Sequence, residues 1–384
     1  MKSRFPVEKF KSLTTPFYYY DINVLKHTLQ TLAEEADKYN YLLHYAVKAN
    51  ANPRILSLIR EYGLGADCVS GGEIKAAVDA GFPADKIVFA GVGKADWEIN
   101  LGLDYGIFCY NVESIQELEV INDLAKKREK TVQVALRMNP DVDAHTHHHI
   151  TTGTKEDKFG INCDQLDKVL NKLNTLEAIR LIGLHFHIGS QITDEKPFRE
   201  LCKRTVEIQE QIAKRGVKVE HINFGGGLGI DYENPDQHII PDFKTYFELF
   251  HTFFPAEPFQ QIHFEPGRSI VGQCGSLISK VLYVKKSSYK QFVILDAGFT
   301  ELIRPALYDA YHQIDNLSSN AIEETYDVVG PICESSDCFA KAVRLNKTER
   351  GDLIALRSAG AYGEIMASQY NCRKLPNAYF SDSL

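Results

Sequence analysis

Between about residues 23 and 267 this chain alternates short β-like runs with helical patterns, and that alternation limits the fold more than anything else in it. Eight runs, at 41–47, 65–69, 87–90, 107–110, 132–137, 181–187, 217–224 and 261–265, each adjoin a helix-compatible stretch. Strands joined by crossover helices are covered on both faces, so they read as continuous apolar runs rather than as alternating ones. Eight βα units over about 245 residues meet the requirement of a (β/α)8 barrel. A doubly wound open sheet is the main competitor, but eight parallel strands without a natural edge favour closure. Local signals agree. Asp21 is placed to cap a first helix that puts Leu25, Leu29, Leu32, Ala33 and Ala36 on one face. Asn52-Pro53 opens another helix, which Gly63 ends.

After Gly267 the texture changes. Residues 270–285, 292–295, 326–329, 338–343 and 353–356 are β-like with few helices between them, which predicts a second, mostly antiparallel β domain. Phe17-Tyr-Tyr-Tyr20 has strand character and is a candidate member of it. The expected organisation is therefore a barrel over 23–267 and a β domain made of 1–22 and 268–384.

Composition narrows the function. A net charge of −8, with no Lys/Arg block, speaks against nucleic acid as a partner. No apolar run reaches membrane-spanning length, and the N-terminus shows no apolar signal segment, so no membrane partner is expected. The eight cysteines are scattered without a C-x-x-C pair and read as reduced thiols, which points to the cytoplasm.

Two loops carry the chemistry: Ile222-Asn-Phe-Gly-Gly-Gly-Leu-Gly229 and Ile262-His-Phe-Glu-Pro-Gly-Arg268. Glycines present no Cβ, so backbone N–H groups can come close to phosphate oxygens. The first loop lacks G-x-G-x-x-G spacing and is not a dinucleotide fingerprint. In a barrel, functional groups gather at the C-terminal strand ends. Lys48, Arg137, His187, the glycines at 225–227 and Glu265 are expected to end the first, fifth, sixth, seventh and eighth strands. Alone, Lys48 reads as a snorkelling edge residue; beside a phosphate seat, an imine-forming amine is the better reading. Glu265 is either a surface carboxylate beside a turn or a partly buried one that needs a partner. His145, His147, His148 and His149 suggest metal, but consecutive histidines diverge and no acidic partner has helical spacing, so no metal is expected.

The set Tyr45-Ala-Val-Lys-Ala-Asn50, His185-Phe-His-Ile-Gly-Ser190, Asn223-Phe-Gly-Gly-Gly-Leu-Gly229, Glu265-Pro-Gly-Arg268, Arg304-Pro-Ala-Leu-Tyr308, Gly330-Pro-Ile-Cys-Glu-Ser335 and Gly360-Ala-Tyr-Gly363 resembles the fold-type III pyridoxal-phosphate decarboxylases. The motifs keep their order over nearly the whole chain. The resemblance implies an alanine-racemase-like barrel with a β domain, pyridoxal 5'-phosphate as cofactor and a homodimer with shared active sites. It implies that Lys48 holds the cofactor through its amine and that His187 stacks on the ring. Gly226, Gly227, Gly267 and Tyr362 would hold the phosphate, with Ser190 and Arg137 as polar neighbours. Glu265 would pair with the pyridine nitrogen and keep it protonated, which makes the ring a strong electron sink. Cys333, from the neighbouring subunit, would protonate the substrate carbon. Arg268, Arg304, Tyr308 and Tyr362 would bind the substrate's remote end, the arginines through its carboxylate, and Glu334 would meet its ammonium.

The implied reaction is loss of carbon dioxide from meso-2,6-diaminopimelate to give L-lysine, the closing step of lysine synthesis. Ornithine has no distal carboxylate and would leave the arginines poorly used. An enzyme acting on carboxynorspermidine is closer in length, since 384 residues is short for the diaminopimelate enzymes. An amino-acid racemase would carry an arginine by the pyridine nitrogen where this chain has Glu265. A non-catalytic cofactor-binding protein would be expected to have lost Lys48, Cys333 or the arginines.

Overall fold

The computed structural model describes residues 5–142 and 158–384. The chain forms two compact units: Leu29–Gly229 with Asp242–Gly267, and Met1–Thr28 with Ile230–Pro241 and Arg268–Leu384.

In the first unit, eight parallel strands hydrogen-bond in chain order: Leu42–Ala46, Gly65–Cys68, Ile87–Phe89, Cys109–Val112, Val132–Asn139, Ile179–His185, His221–Asn223 and Gln261–Phe264. The last pairs with the first through His263 opposite Leu42 and Phe264 opposite Leu43, so the sheet closes into a barrel without edges. Helices follow the strands because their start signals are strong. Asn52 accepts the Arg54 N–H at 3.1 Å ahead of Pro53, and the helix Pro53–Glu61 stops just before Gly63 at φ +81°. Ser70 and Ser114 accept the N–H groups of Glu73 and Glu117, while those two glutamates reach back to the N–H groups of Val69 and Glu113. Each pair satisfies two N-terminal donors at once.

Two strands differ from expectation. The fourth is displaced from 107–110 to Cys109–Val112, and the seventh shrinks from 217–224 to His221–Asn223. Phe108 leaves the ladder because its N–H turns to the carbonyls of Ala84 and Ile87 and its ring packs on His221 and His263. These rings belong to a histidine chain across the strands. His44 Nδ1 lies 3.0 Å from the Lys86 carbonyl, His44 Nε2 2.9 Å from His263 Nδ1, and His263 Nε2 2.9 Å from His221 Nδ1. A carbonyl can only accept, so His44 carries its proton on Nδ1 and accepts at Nε2. The same tautomer then repeats at His263 and His221.

The second unit is built on a sheet in the order Ile314–Asn316, Leu353–Leu356, Gly275–Lys286, Gln291–Leu295, Glu323–Val329 and Cys338–Asn346. Phe17–Tyr20 adds to it, antiparallel to Gly275–Lys286 and parallel to Asn377–Phe380. Gln291–Leu295 and Glu323–Val329 also run parallel, so the sheet is mostly but not wholly antiparallel. The run expected at 270–285 starts later, since Arg268–Val271 makes a helical turn first. The core sets Phe10, Phe17, Tyr19, Ile278 and Leu353 together. Ile230–Pro241, which the sequence places in the barrel, belongs to this unit because Tyr232 and Asp236 bond to its arginines. Among the described residues, no helix is long and apolar enough to cross a membrane.

Candidate active site

The barrel strands deliver Lys48, Arg137, His187, Gly226, Gly227 and Glu265 to their C-terminal ends, with small departures from expectation. Lys48 sits in the 3-10 turn Val47–Ala49 after the first strand, and His187 lies two residues past the sixth. Arg137 is inside the fifth strand, which continues to Asn139, and Glu265 directly follows the eighth.

Glu265 is buried and held on both oxygens. Oε1 accepts from Asn223 Nδ2 at 2.7 Å and Asn111 Nδ2 at 3.4 Å, and His185 Nε2 lies 2.9 Å from Oε2. Burial alone would raise its pKa; His185 outweighs burial and holds the carboxyl below the usual range, so it stays ionised. Of the roughly four lone-pair positions on a carboxylate, these bonds use three, which leaves room for one more cationic donor. The His185 Nδ1 is buried without a hydrogen-bond partner.

His187 is kept neutral by burial and by the positive charges of Lys48 and Arg137, and its Nδ1 accepts the Gly226 N–H at 3.4 Å. A neutral ring suits stacking on an aromatic face. A Cβ on Gly226 would stand 2.4 Å from the Glu265 carbonyl oxygen, and Gly227 has φ +118°, so neither position tolerates a side chain. The turn bearing Ser190 is tied to this loop, since Ile192 N–H donates to the Gly227 carbonyl and Gly229 N–H to that of Ile192. Gly267 packs on Ala46 and Ala49, next to the turn of Lys48.

The charge of Lys48 is felt at Asp67 and Glu73. Asp67 is buried, with Oδ1 unpartnered, and burial followed by Glu265 pushes its pKa well up. Arg137 is buried too: Nη1 donates to Glu113 Oε1 at 2.7 Å and the guanidinium lies 4.6 Å from the Phe159 ring. Glu113 also takes the N–H groups of Gly91 and Gly160, each at 3.0 Å. Burial opposes its ionisation, but Arg137 and Lys94 together hold it below the ordinary carboxylate value. Lys94 forms a buried pair with Glu117 at 2.5 Å. The sequence reading assigned no role to Asp67, Glu113, Glu117, Asn111, Asn223 or His185. The signal for several was available, as polar residues that end or follow apolar strands.

The second unit carries the remaining candidates. Arg268 and Arg304 are both buried, with guanidiniums 5.9 and 5.1 Å from the Tyr232 ring, and Arg268 lies 4.9 Å from the Tyr362 ring. Tyr308 ends the helical turn Arg304–Tyr308 within electrostatic reach of Arg268. Tyr362 adopts φ +57°. Cys333 and Glu334 are exposed, and Glu334 Oε1 accepts the Tyr370 hydroxyl at 2.7 Å. His145, His147, His148 and His149 lie outside the described residues. Among the described residues, no three His, Cys, Asp or Glu side chains form a group that could hold a metal.

A parallel barrel with an amine, a neutral imidazole, a glycine seat and an ionised buried glutamate at one end fits pyridoxal-dependent chemistry. Residues 23–272 match the pyridoxal-binding domain of the pyridoxal-dependent decarboxylases, and the chain belongs to that family. It is 63% identical over its whole length to the diaminopimelate decarboxylase of Bacteroides thetaiotaomicron, all of which it covers. The short length is thus shared with this relative. The crystal structure of diaminopimelate decarboxylase from Helicobacter pylori, complexed with L-lysine, superposes with a TM-score of 0.91 at 39% identity over 97% of this chain and 93% of that one. The M. jannaschii enzyme of the same name, also with L-lysine, gives 0.90 at 35% identity over 98% and 90%.

Proposed function

We propose that this chain decarboxylates meso-2,6-diaminopimelate to L-lysine, using pyridoxal 5'-phosphate held by Lys48. The bound cofactor supplies an electron sink for the pair left when carbon dioxide departs. The chain's own groups do the rest. The backbone of Gly226, Gly227 and Gly267, with the Tyr362 hydroxyl, would hold the phosphate, and Ser190 and Arg137 would be its polar neighbours. Glu265, ionised and clamped by Asn223 and His185, would hold a proton on the ring nitrogen. His187, held neutral, would lie on the ring face. The Cys333 thiol returns a proton to the substrate α-carbon; its exposure and that of Glu334 support service to the site of a second copy.

The observation that carries the substrate assignment is the pair of buried guanidiniums, Arg268 and Arg304, gathered on the hydroxyl of Tyr232. Two fixed positive charges fit a remote carboxylate and repel the cationic far end of ornithine or arginine. With Tyr308 and Glu334 they would grip the L-end of the substrate and leave the D-end carboxylate at the reacting position. A substrate panel tests this: the stereoisomers of diaminopimelate, ornithine, arginine and carboxynorspermidine. Lysine and carbon dioxide are expected from the meso compound. No turnover of diaminopimelate, with brisk turnover of another member, would overturn the substrate and leave the reaction class standing.

A further inference from the structure

Arg268 and Arg304 are like charges in one buried cluster, each surrounded by aromatic rings. Left to themselves, two guanidiniums in that setting repel one another and have many rotamers to choose from. Two residues outside every motif singled out in the sequence remove that freedom. The Tyr232 hydroxyl accepts from Arg268 Nη1 at 2.6 Å and also from Arg304. His312 accepts from Arg304 Nη1 through Nε2, at 2.7 Å. Its other nitrogen is 2.7 Å from the Arg357 carbonyl, which can only accept, so Nδ1 carries the proton and Nε2 is left with its lone pair.

The bracing continues outward. Arg357 donates to Asp236 Oδ1 at 2.6 Å and to Asp315 Oδ2 at 2.8 Å, so the carbonyl that fixes His312 is itself held. Tyr232 and Asp236 lie on the same segment, Ile230–Pro241. That segment therefore orients Arg268 directly and Arg304 both directly and through Arg357 and His312. The aromatic packing is consistent, with the Tyr232 and His312 rings edge to face at 5.3 Å.

We infer that Tyr232 and His312 are positioning residues that hold the paired guanidiniums of Arg268 and Arg304 ready for the substrate's remote carboxylate. The inference rests on the substrate assignment above. Its physical content is preorganisation: a carboxylate arriving between fixed donors loses less to ordering than one that must gather them. Both residues suit the task electrostatically. Burial opposes ionisation of Tyr232, but the two arginines outweigh it and bring the hydroxyl below its ordinary pKa, as two cationic donors on one oxygen should. Burial and Arg304 hold His312 down to about 3, so it accepts from Arg304 throughout the working range of pH and never adds a third cation. The arrangement sets selectivity as well as affinity, because a ligand without the remote carboxylate gains nothing from it.

The test compares two competitive ligands of the cofactor-loaded enzyme: L-lysine, which keeps that carboxylate, and cadaverine, which lacks it. Tyr232→Phe removes the hydroxyl and keeps the ring. His312→Leu removes both hydrogen bonds, whereas His312→Gln retains one donor and one acceptor. In Tyr232→Phe and His312→Leu, inhibition by L-lysine is expected to weaken about tenfold, while cadaverine is unchanged within about twofold. KM for diaminopimelate is expected to rise with kcat within about threefold, and His312→Gln to behave like the wild type. Unchanged L-lysine inhibition in Tyr232→Phe, or an equal loss for both ligands, overturns the inference. If the wild type itself does not turn over diaminopimelate, the substrate assignment fails instead, so the two failures are told apart.

Discussion

The histidine chain at the base of the barrel predicts a specific response to acid. Burial lowers the pKa of His44 and His263, and each is hydrogen-bonded in a tautomer that leaves no place for a second proton. In the unfolded chain both titrate near 6.5, so below that pH the unfolded state binds protons that the folded state does not. Their stabilisation is therefore complete above about pH 6.5 and lost as pH falls. At pH 5.5 a histidine that stays neutral in the fold, as His263 does, takes away about 1.4 kcal/mol of stability relative to pH 7.5, and His44 adds a loss of the same sign. His263→Gln keeps a donor and an acceptor in the middle of the chain but cannot be protonated. Urea unfolding of wild type and variant at pH 7.5 and 5.5, followed by circular dichroism, reads the difference. The variant should lose about 1.4 kcal/mol less than the wild type over that interval. Equal losses would refute the reasoning.

Two more outcomes follow from the barrel's other buried charges. Glu265→Gln leaves the clamp of Asn223 in place but removes the charge that would hold a proton on the ring nitrogen; kcat is expected to fall on the order of 100-fold with the fold intact by circular dichroism, and a loss under threefold would contradict the assigned role. Glu113→Gln strands the buried Arg137 and should cost roughly 3–5 kcal/mol, most of it recovered in the double variant with Arg137→Met. A Glu113→Gln protein melting like the wild type would sink that account.

The barrel was legible because crossover strands have no alternative to continuous apolar runs, and all eight were placed, six of them nearly in register. The fourth is displaced because Phe108 reads as strand while its N–H and ring answer to tertiary partners, and the seventh is only the inner part of its expected run. The helix starts Ser70-Gly-Gly-Glu73 and Ser114-Ile-Gln-Glu117 carried readable capping signals that went unused. Residues such as Lys48 and Glu265 stood out as polar groups beside apolar runs. The pair that holds Glu265 did not, although His185 and Asn223 end their strands, because their role depends on which strands become neighbours. Tyr232 and His312 were invisible for the same reason, since 36 and 8 residues separate them from the arginines they touch.

The barrel closes between its first and last strands on a short ladder, His263 with Leu42 and Phe264 with Leu43. Those same two strands end in the residues proposed to hold the cofactor's two working ends, Lys48 and Glu265. The His44–His263 hydrogen bond thus acts as a stitch across the seam that sets the spacing of Lys48 and Glu265. Loosening that seam would part the strand that leads to Lys48 from the one that leads to Glu265 while the other strands stayed joined, so the barrel's closure sets the spacing of the two residues proposed to hold the cofactor.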